Sequence, residues 1–202
     1  MTNRPTGLVA ILRGVTPDEA VAVAEAVLDA GFDAVEVPYN SPDPLESIRR
    51  IRAAGPPDRR VGAGTVLTPD DVRRAADAGA SLIVSPHTRA DVVAETVRLG
   101  LASYPGAATP TEAFAALDAG ARAVKLFPST TIGIDGMRAW ASVLPPGTEL
   151  VPVGGVDATN LAAWAAAGAS GAGVGTSLYR PGDAPETVGV RAAELVRIWH
   201  DS

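Results

Sequence analysis

Residues 116–130 read ALDAGARAVKLFPST. The stretch holds the end of an amphipathic helical pattern, the tripeptide DAG and a short apolar run. That order is the unit from which the fold is read. A glycine just past the last helical turn adopts the left-handed conformation at no steric cost. The run after it is continuously apolar, as a parallel strand buried on both faces requires. The same tripeptide recurs at 29–31 and 77–79. Equivalent glycines stand at Gly31, Gly55, Gly79, Gly100, Gly120, Gly147 and Gly168, with gaps of 20 to 27 residues.

Each of these glycines is followed by a strand-like run: FDAVEV, RRVGAG, SLIVSP, LASYPG, ARAVKLF, TELVPVGG and SGAGVG. LVAIL at 8–12 makes eight. The segments between them open on cap signatures. Thr16-Pro17-Asp18-Glu19, Thr68-Pro69-Asp70-Asp71 and Thr109-Pro110-Thr111-Glu112 read as capping boxes with proline at the first helical position, and Ser41-Pro42 reads as a variant. The Ala-rich 161–173 parses as one helix, a glycine turn and the last strand. Eight strand–helix units without a composition break predict an α/β fold, a small (β/α)₈ TIM barrel formed by one domain over residues 1–202. A doubly wound open sheet is the structural rival.

Composition narrows the function classes. With 47% hydrophobic and 20% charged residues, the chain carries enough apolar material for a large core. The formal charge of −6, with no basic run, argues against a nucleic-acid partner. There is no cysteine, which removes disulfides and thiolate chemistry. The two histidines, His87 and His200, do not suggest a metal cluster, and His87 on its loop reads as incidental. No segment approaches the length of a membrane span, and the opening MTNRPTGLVAILRG does not read as a signal peptide. The expected location is cytoplasmic.

Lys125 is the one lysine in 202 residues; the other basic residues counted in Lys+Arg 17 are arginine. On the sixth predicted strand, Ala123, Lys125 and Phe127 share one face and Val124 and Leu126 the other. The branched apolar pair suits the helix layer, so Lys125 points inward, toward the end where such barrels carry their chemistry. Burial lowers an amine's pKa, and a neutral amine adds to carbonyl carbon, which a guanidinium does not do. By the same alternation Glu36, in VEVPYNSP at 35–42, faces inward with Ala34 and Pro38. The two make a nucleophile and a general acid/base; a structural ion pair is the competing reading. PVGGVD at 152–157 and GAGVGTS at 171–177 end the last two strands in glycine clusters, a common phosphate site of barrels. Thr65 ends the third strand, Ser85-Pro86 the fourth and Tyr104-Pro105-Gly106 the fifth. Arg13 ends the first, where it could hold a carboxylate.

The ordered motifs ILRGVTPDEA, GFDAVEVPYNSP, VGAGTVLTPD, LIVSPH, YPGAATPTEAF, AVKLFPS, VPVGGV and GVGTSLYRPG cover almost the whole chain. In them the sequence resembles the 2-keto-3-deoxy-6-phosphogluconate/2-keto-3-deoxy-6-phosphogalactonate aldolases. The resemblance implies a class I aldolase without a metal or cofactor, usually a homotrimer. It acts on a phosphorylated 2-keto acid and releases pyruvate and D-glyceraldehyde 3-phosphate. It implies that Lys125 forms the Schiff base and that Glu36 is the acid/base. Arg13 and Thr65 would meet the pyruvyl carboxylate, and Gly154, Gly155, Gly175, Thr176 and Ser177 the phosphate. Phe127 and Pro86 would line the pocket. Asn40, Val153 and Arg13 match the phosphogalactonate branch, and Tyr39 departs from the leucine usual there. Val153, where the other branch carries a threonine, bears on the C4 hydroxyl that distinguishes the epimeric substrates. Cleavage of the phosphogluconate epimer, or of both, is the alternative. A phosphate-binding isomerase or synthase without a covalent lysine, and a barrel that only binds a sugar phosphate, are more distant ones.

Overall fold

The computed structural model describes residues 6–202. The leader reading of the opening segment therefore lies partly outside the described residues. Strands and helices alternate as the repeat predicts: β1 (Gly7–Ile11), α1 (Pro17–Asp29), β2 (Ala34–Pro38), α2 (Pro44–Ala54), β3 (Val61–Gly64), α3 (Pro69–Asp77), β4 (Leu82–Val84), α4 (Ala90–Arg98) and β5 (Ala102–Tyr104). Then come β6 (Gly106–Ala107), α5 (Pro110–Asp118), β7 (Val124–Leu126), α6 (Ser129–Ala141), β8 (Leu150–Pro152), α7 (Leu161–Ala166), β9 (Gly171–Val174) and α8 (Pro185–His200). No described helix is long and apolar enough to cross a membrane.

All strand pairings are parallel. One sheet runs β5-β4-β3-β2-β1-β9 and a second runs β6-β7-β8. A single bridge, Val153 to Gly173, joins β8 to β9. The predicted fifth strand is two strands, and Pro105 is the reason: it has no N–H to continue the ladder with β4. Before it, Tyr104 is paired with Val84; after it, Gly106 is paired with Lys125. The Pro105 carbonyl accepts from the Lys125 amide at 2.9 Å, and Ser103 accepts from Arg122 at 2.9 Å.

Side chains sort into two layers by the strand alternation. Leu8, Ala10, Val35, Val37, Val124, Leu126, Ala172 and Val174 pack outward against the helices. Val9, Ile11, Ala34, Leu82, Val84, Tyr104, Ala123, Val151 and Val153 form a separate inner cluster, with Phe127 beside it. The predicted faces of β2 and β7 are therefore the observed ones.

Three capping boxes form as expected, on Thr16, Thr68 and Thr109. The fourth does not. Helix α2 starts at Pro44 with Asp43 as N-cap, because Ser41 is engaged elsewhere: its hydroxyl accepts from the Gly14 amide at 2.9 Å. Two glycines of the repeat also differ. Gly55 is extended, at φ −125°, as the following Pro56 requires. Gly147 lies in a Pro145–Thr148 turn beyond α6 rather than closing the helix.

Candidate active site

The inward faces of two strands place the chemistry. Lys125 lies mid-strand on β7 and Glu36 on β2, and they are 7% and 3% exposed. Both line one cavity of about 20 Å³, whose other walls are Val9, Ile11, Val84, Tyr104, Val151, Val153 and Gly173. The ammonium nitrogen stands 4.4 Å from the Phe127 ring centroid. Glu36 Oε2 is buried without a hydrogen-bond partner.

This dry setting acts on both groups. Burial pushes Glu36 up to about 7, against the opposing pull of the Lys125 and Arg13 charges. Burial lowers Lys125 below the ordinary amine value; the Glu36 charge opposes the shift and Arg13 adds to it. An amine that can be neutral beside a carboxyl that titrates near neutrality can add to a carbonyl and move protons at adjacent carbons.

Gly64 is what makes room for that carboxyl. A Cβ there would fall 2.1 Å from Glu36 Oε2 and 2.6 Å from its carboxyl carbon. Sequence reasoning passed over Gly64; a glycine inside a strand run, marking close approach, was the available signal. The next residue, Thr65, is half-buried and held at φ +56°, a costly conformation for a β-branched side chain and one found where a site over-determines the backbone. Pro86 sits beside the lysine strand, since a Cβ on Gly106 would meet its carbonyl oxygen at 2.5 Å. Thr65, Pro86 and His87 line neither this cavity nor the pocket above it.

Ile11, Val153 and Gly173 are shared between the cavity and a larger pocket of about 400 Å³. This pocket gathers Arg13, Phe127, Gly154, Gly155, Gly175, Thr176 and Ser177, all singled out in the sequence. It also includes Gly14, Asp157, Tyr179, Arg180 and Pro181, which were not. The glycine turn after β8 is shaped by α6: Ser129 donates to the Gly154 carbonyl at 2.6 Å, and a Cβ on Gly155, at φ +77°, would strike Thr130 at 2.4 Å. After β9, the amides of Leu178 and Tyr179 both donate to the Gly175 carbonyl, a helical turn whose first amides have no acceptor within it. The Ser177 hydroxyl donates to the Val156 carbonyl at 2.8 Å, tying the two loops together. Backbone N–H groups and arginine on one wall suit an anion. Arg13, exposed at the mouth, donates to Asn40 Oδ1.

A parallel α/β fold with a buried amine and acid under an anion-suited pocket has the equipment of a Schiff-base aldolase. Comparison gives the family. The chain belongs to the aldolases described as KDPG and KHG aldolase, whose pattern matches residues 2–187. The 2-dehydro-3-deoxy-6-phosphogalactonate aldolase of Escherichia coli K12 is 47% identical over 195 residues, 96% of this chain and 95% of that protein. A 2-dehydro-3-deoxy-phosphogluconate aldolase of Treponema pallidum is 35% identical over 149 residues, 74% of this chain and 70% of that protein. A solved structure described as native KDPGal superposes with a TM-score of 0.95 at 47% identity, covering 100% of this chain and 97% of that one. The protein is thus a carbon–carbon lyase of this family.

Proposed function

We propose that the protein reversibly cleaves 2-dehydro-3-deoxy-6-phosphogalactonate to pyruvate and D-glyceraldehyde 3-phosphate through an imine on Lys125. The observation that carries this reading is the convergence of Lys125 and Glu36 on one apolar cavity opening into the glycine-lined pocket. The Lys125 amine adds to C2 of the keto acid, and loss of water leaves an iminium. Glu36, directly or through a water, takes the C4 hydroxyl proton. The C3–C4 electron pair moves into the iminium, glyceraldehyde 3-phosphate departs, and an enamine of pyruvate remains. Glu36 returns its proton to C3, and hydrolysis frees pyruvate and the amine. Arg13 and Thr65 hold the carboxylate end, Phe127 and Pro86 flank it, and Val153 meets the C4 region. Gly154, Gly155, Gly175, Thr176 and Ser177 anchor the phosphate, so that remote binding energy positions the scissile bond.

The galactonate epimer is favoured by the 47% identity to an enzyme of that name and by Asn40 and Val153. In this reading the described strands belong to one closed eight-unit barrel in a single domain. The Val153–Gly173 bridge at one seam, with the Ser103 and Pro105 carbonyls bonded to the β7 segment at the other, supports closure. The working form is a homotrimer, with exposed Leu67, Phe114 and Val190 available to be covered, and the compartment is the cytoplasm, where phosphorylated sugar acids are retained. Incubation with pyruvate and borohydride, followed by peptide mass spectrometry, tests the chemistry: a reduced adduct on Lys125 is expected, and its absence refutes the covalent scheme. Cleavage rates on the two C4 epimers, measured side by side, test the substrate.

A further inference from the structure

The neighbouring strands β1 and β2 end in two tight turns that are bound to each other. After β1 the Val15 amide donates to the Leu12 carbonyl at 3.3 Å, so Arg13 and Gly14 are the central pair of a β-turn. Gly14 stands at φ +83°, the conformation a type II turn needs at its third residue. After β2 the Ser41 amide donates to the Pro38 carbonyl at 2.9 Å, and Tyr39 and Asn40 are the central pair. Two bonds cross from turn to turn. Arg13 donates to Asn40 Oδ1, and the Gly14 amide donates to the Ser41 hydroxyl oxygen at 2.9 Å.

Arg13 and Asn40 are both exposed, and ordering a long exposed side chain costs rotamer entropy. The residues on either side of Asn40 supply the order. The Tyr39 amide donates to the Gly64 carbonyl at 2.8 Å, and its phenol donates to the Asp71 carbonyl at 2.6 Å, in the first turn of α3. Asp71 is itself fixed, because its carboxylate completes the Thr68 capping box. Burial, with the Asp71 charge, pushes the Tyr39 phenol up to about 12, so it remains a donor at neutral pH. The leucine usual in the phosphogalactonate branch has no group to make that bond. Ser41 is 9% exposed, and its hydroxyl grips the backbone next to Arg13. Neither Tyr39 nor Ser41 lines the cavity or the pocket.

We propose that Tyr39 and Ser41 are positioning residues: they fix the turn that carries Asn40, and so hold Arg13 where it meets the substrate carboxylate. This rests on the carboxylate role given to Arg13 above. The test is the pyruvate concentration that half-saturates borohydride trapping on Lys125. Pyruvate has the carboxylate and lacks the phosphate, so the reading is confined to the Arg13 end. Ser41→Ala and Tyr39→Phe should each raise that concentration by about 3–10-fold, the worth of one neutral hydrogen bond. Ser41→Thr, which keeps the hydroxyl, should restore it, and Tyr39→Phe serves alone should Ser41→Ala fold poorly. The same substitutions are then made in Arg13→Gln. Because both residues act through Arg13, they should add nothing further in that background, whereas a merely structural loss adds in full. Equal effects with and without Arg13, or unchanged half-saturation in the folded single variants, overturns the proposal. If Arg13→Gln alone leaves half-saturation unchanged, the carboxylate role of Arg13 falls, and the positioning role with it.

Discussion

Glu36→Gln should slow the enzyme and at the same time make it less sensitive to alkali. Burial holds Glu36 at about 7 against an ordinary 4.5. Between those values the native state keeps a proton that the unfolded chain has released. Unfolding free energy therefore falls as pH rises from 4.5 through 7, and the deficit is complete above 7. At ~1.36 kcal/mol per pKa unit this amounts to about 2–3 kcal/mol between pH 5 and pH 8. Glutamine does not titrate, so the variant lacks the fall. The fixed cost of its buried amide, placed where Oε2 already has no partner, is the same at both pH values and cancels. Lys125 adds to the difference: without the Glu36 charge its pKa drops further, and a depressed lysine gains stability as pH rises above its folded value. Urea unfolding of both proteins at pH 5 and pH 8, with constant m-values, measures the double difference. Equal losses in the two proteins would refute the claim that the carboxyl is held protonated by burial. On the activity side, turnover should drop by ~10²–10⁴-fold while pyruvate trapping persists.

Lys125→Arg should abolish both cleavage and borohydride trapping in a folded protein, since guanidinium offers no free amine; residual turnover would reject the covalent scheme. Gly64→Ala would set a methyl 2.1 Å from Glu36 Oε2 and force the carboxyl more than an ångström aside. A displacement of that order costs about 10²-fold, read as a fall in kcat with trapping retained; unchanged kcat would show that Glu36 has no exacting position to keep. Gly155→Ala, which would clash with Thr130, should raise KM for the phosphorylated substrate and leave pyruvate trapping intact; equal damage to both would remove the phosphate role from that loop. Arg13→Gln should move the acid limb of the pH–activity profile upward, because the Arg13 charge lowers both Glu36 and Lys125; a limb that stays in place, or moves down, denies it that influence.

Much of this architecture was legible because local rules repeat. Capping threonines followed by proline, and glycines after helices, fixed the alternation of elements, and the two-residue period of a strand told which face Lys125 and Glu36 share. What stayed hidden was set by competition between distant residues. Ser41 has the sequence of a helix cap, but the Gly14 amide uses its hydroxyl, and the start of α2 moves to Pro44. Pro105 reads as the end of a strand, yet it marks the point where the chain leaves one neighbour and joins another. Gly64 and Gly173 lie inside strands β3 and β9. Their meaning lies in what a Cβ would strike, the Glu36 carboxyl at 2.1 Å and Val153 at 2.7 Å, and nothing local in the chain announces either neighbour. Arg180 and Pro181 entered the pocket for the same reason: the turn after β9 carries them back over it.

Lys125 and Glu36 also pose a problem that burial alone does not solve. Addition to a carbonyl requires a neutral amine, and proton removal requires an ionised carboxylate. Burial favours the neutral form of each, which suits the lysine and holds the glutamate in its acid form. Attraction between the pair favours the charged form of each, which suits the glutamate and spoils the lysine. The working state has one proton fewer than either of these arrangements, and only a third charge of positive sign favours both halves of it together. Arg13 is that charge. It stands at the mouth, exposed enough to need no partner for its own solvation, and Asn40 steadies it. Arginine side chains carry a fixed positive charge. A lysine at 125, whose amine can be neutral, and an arginine at 13, whose charge lowers the pKa of both titrating groups, therefore serve one electrostatic requirement from opposite sides.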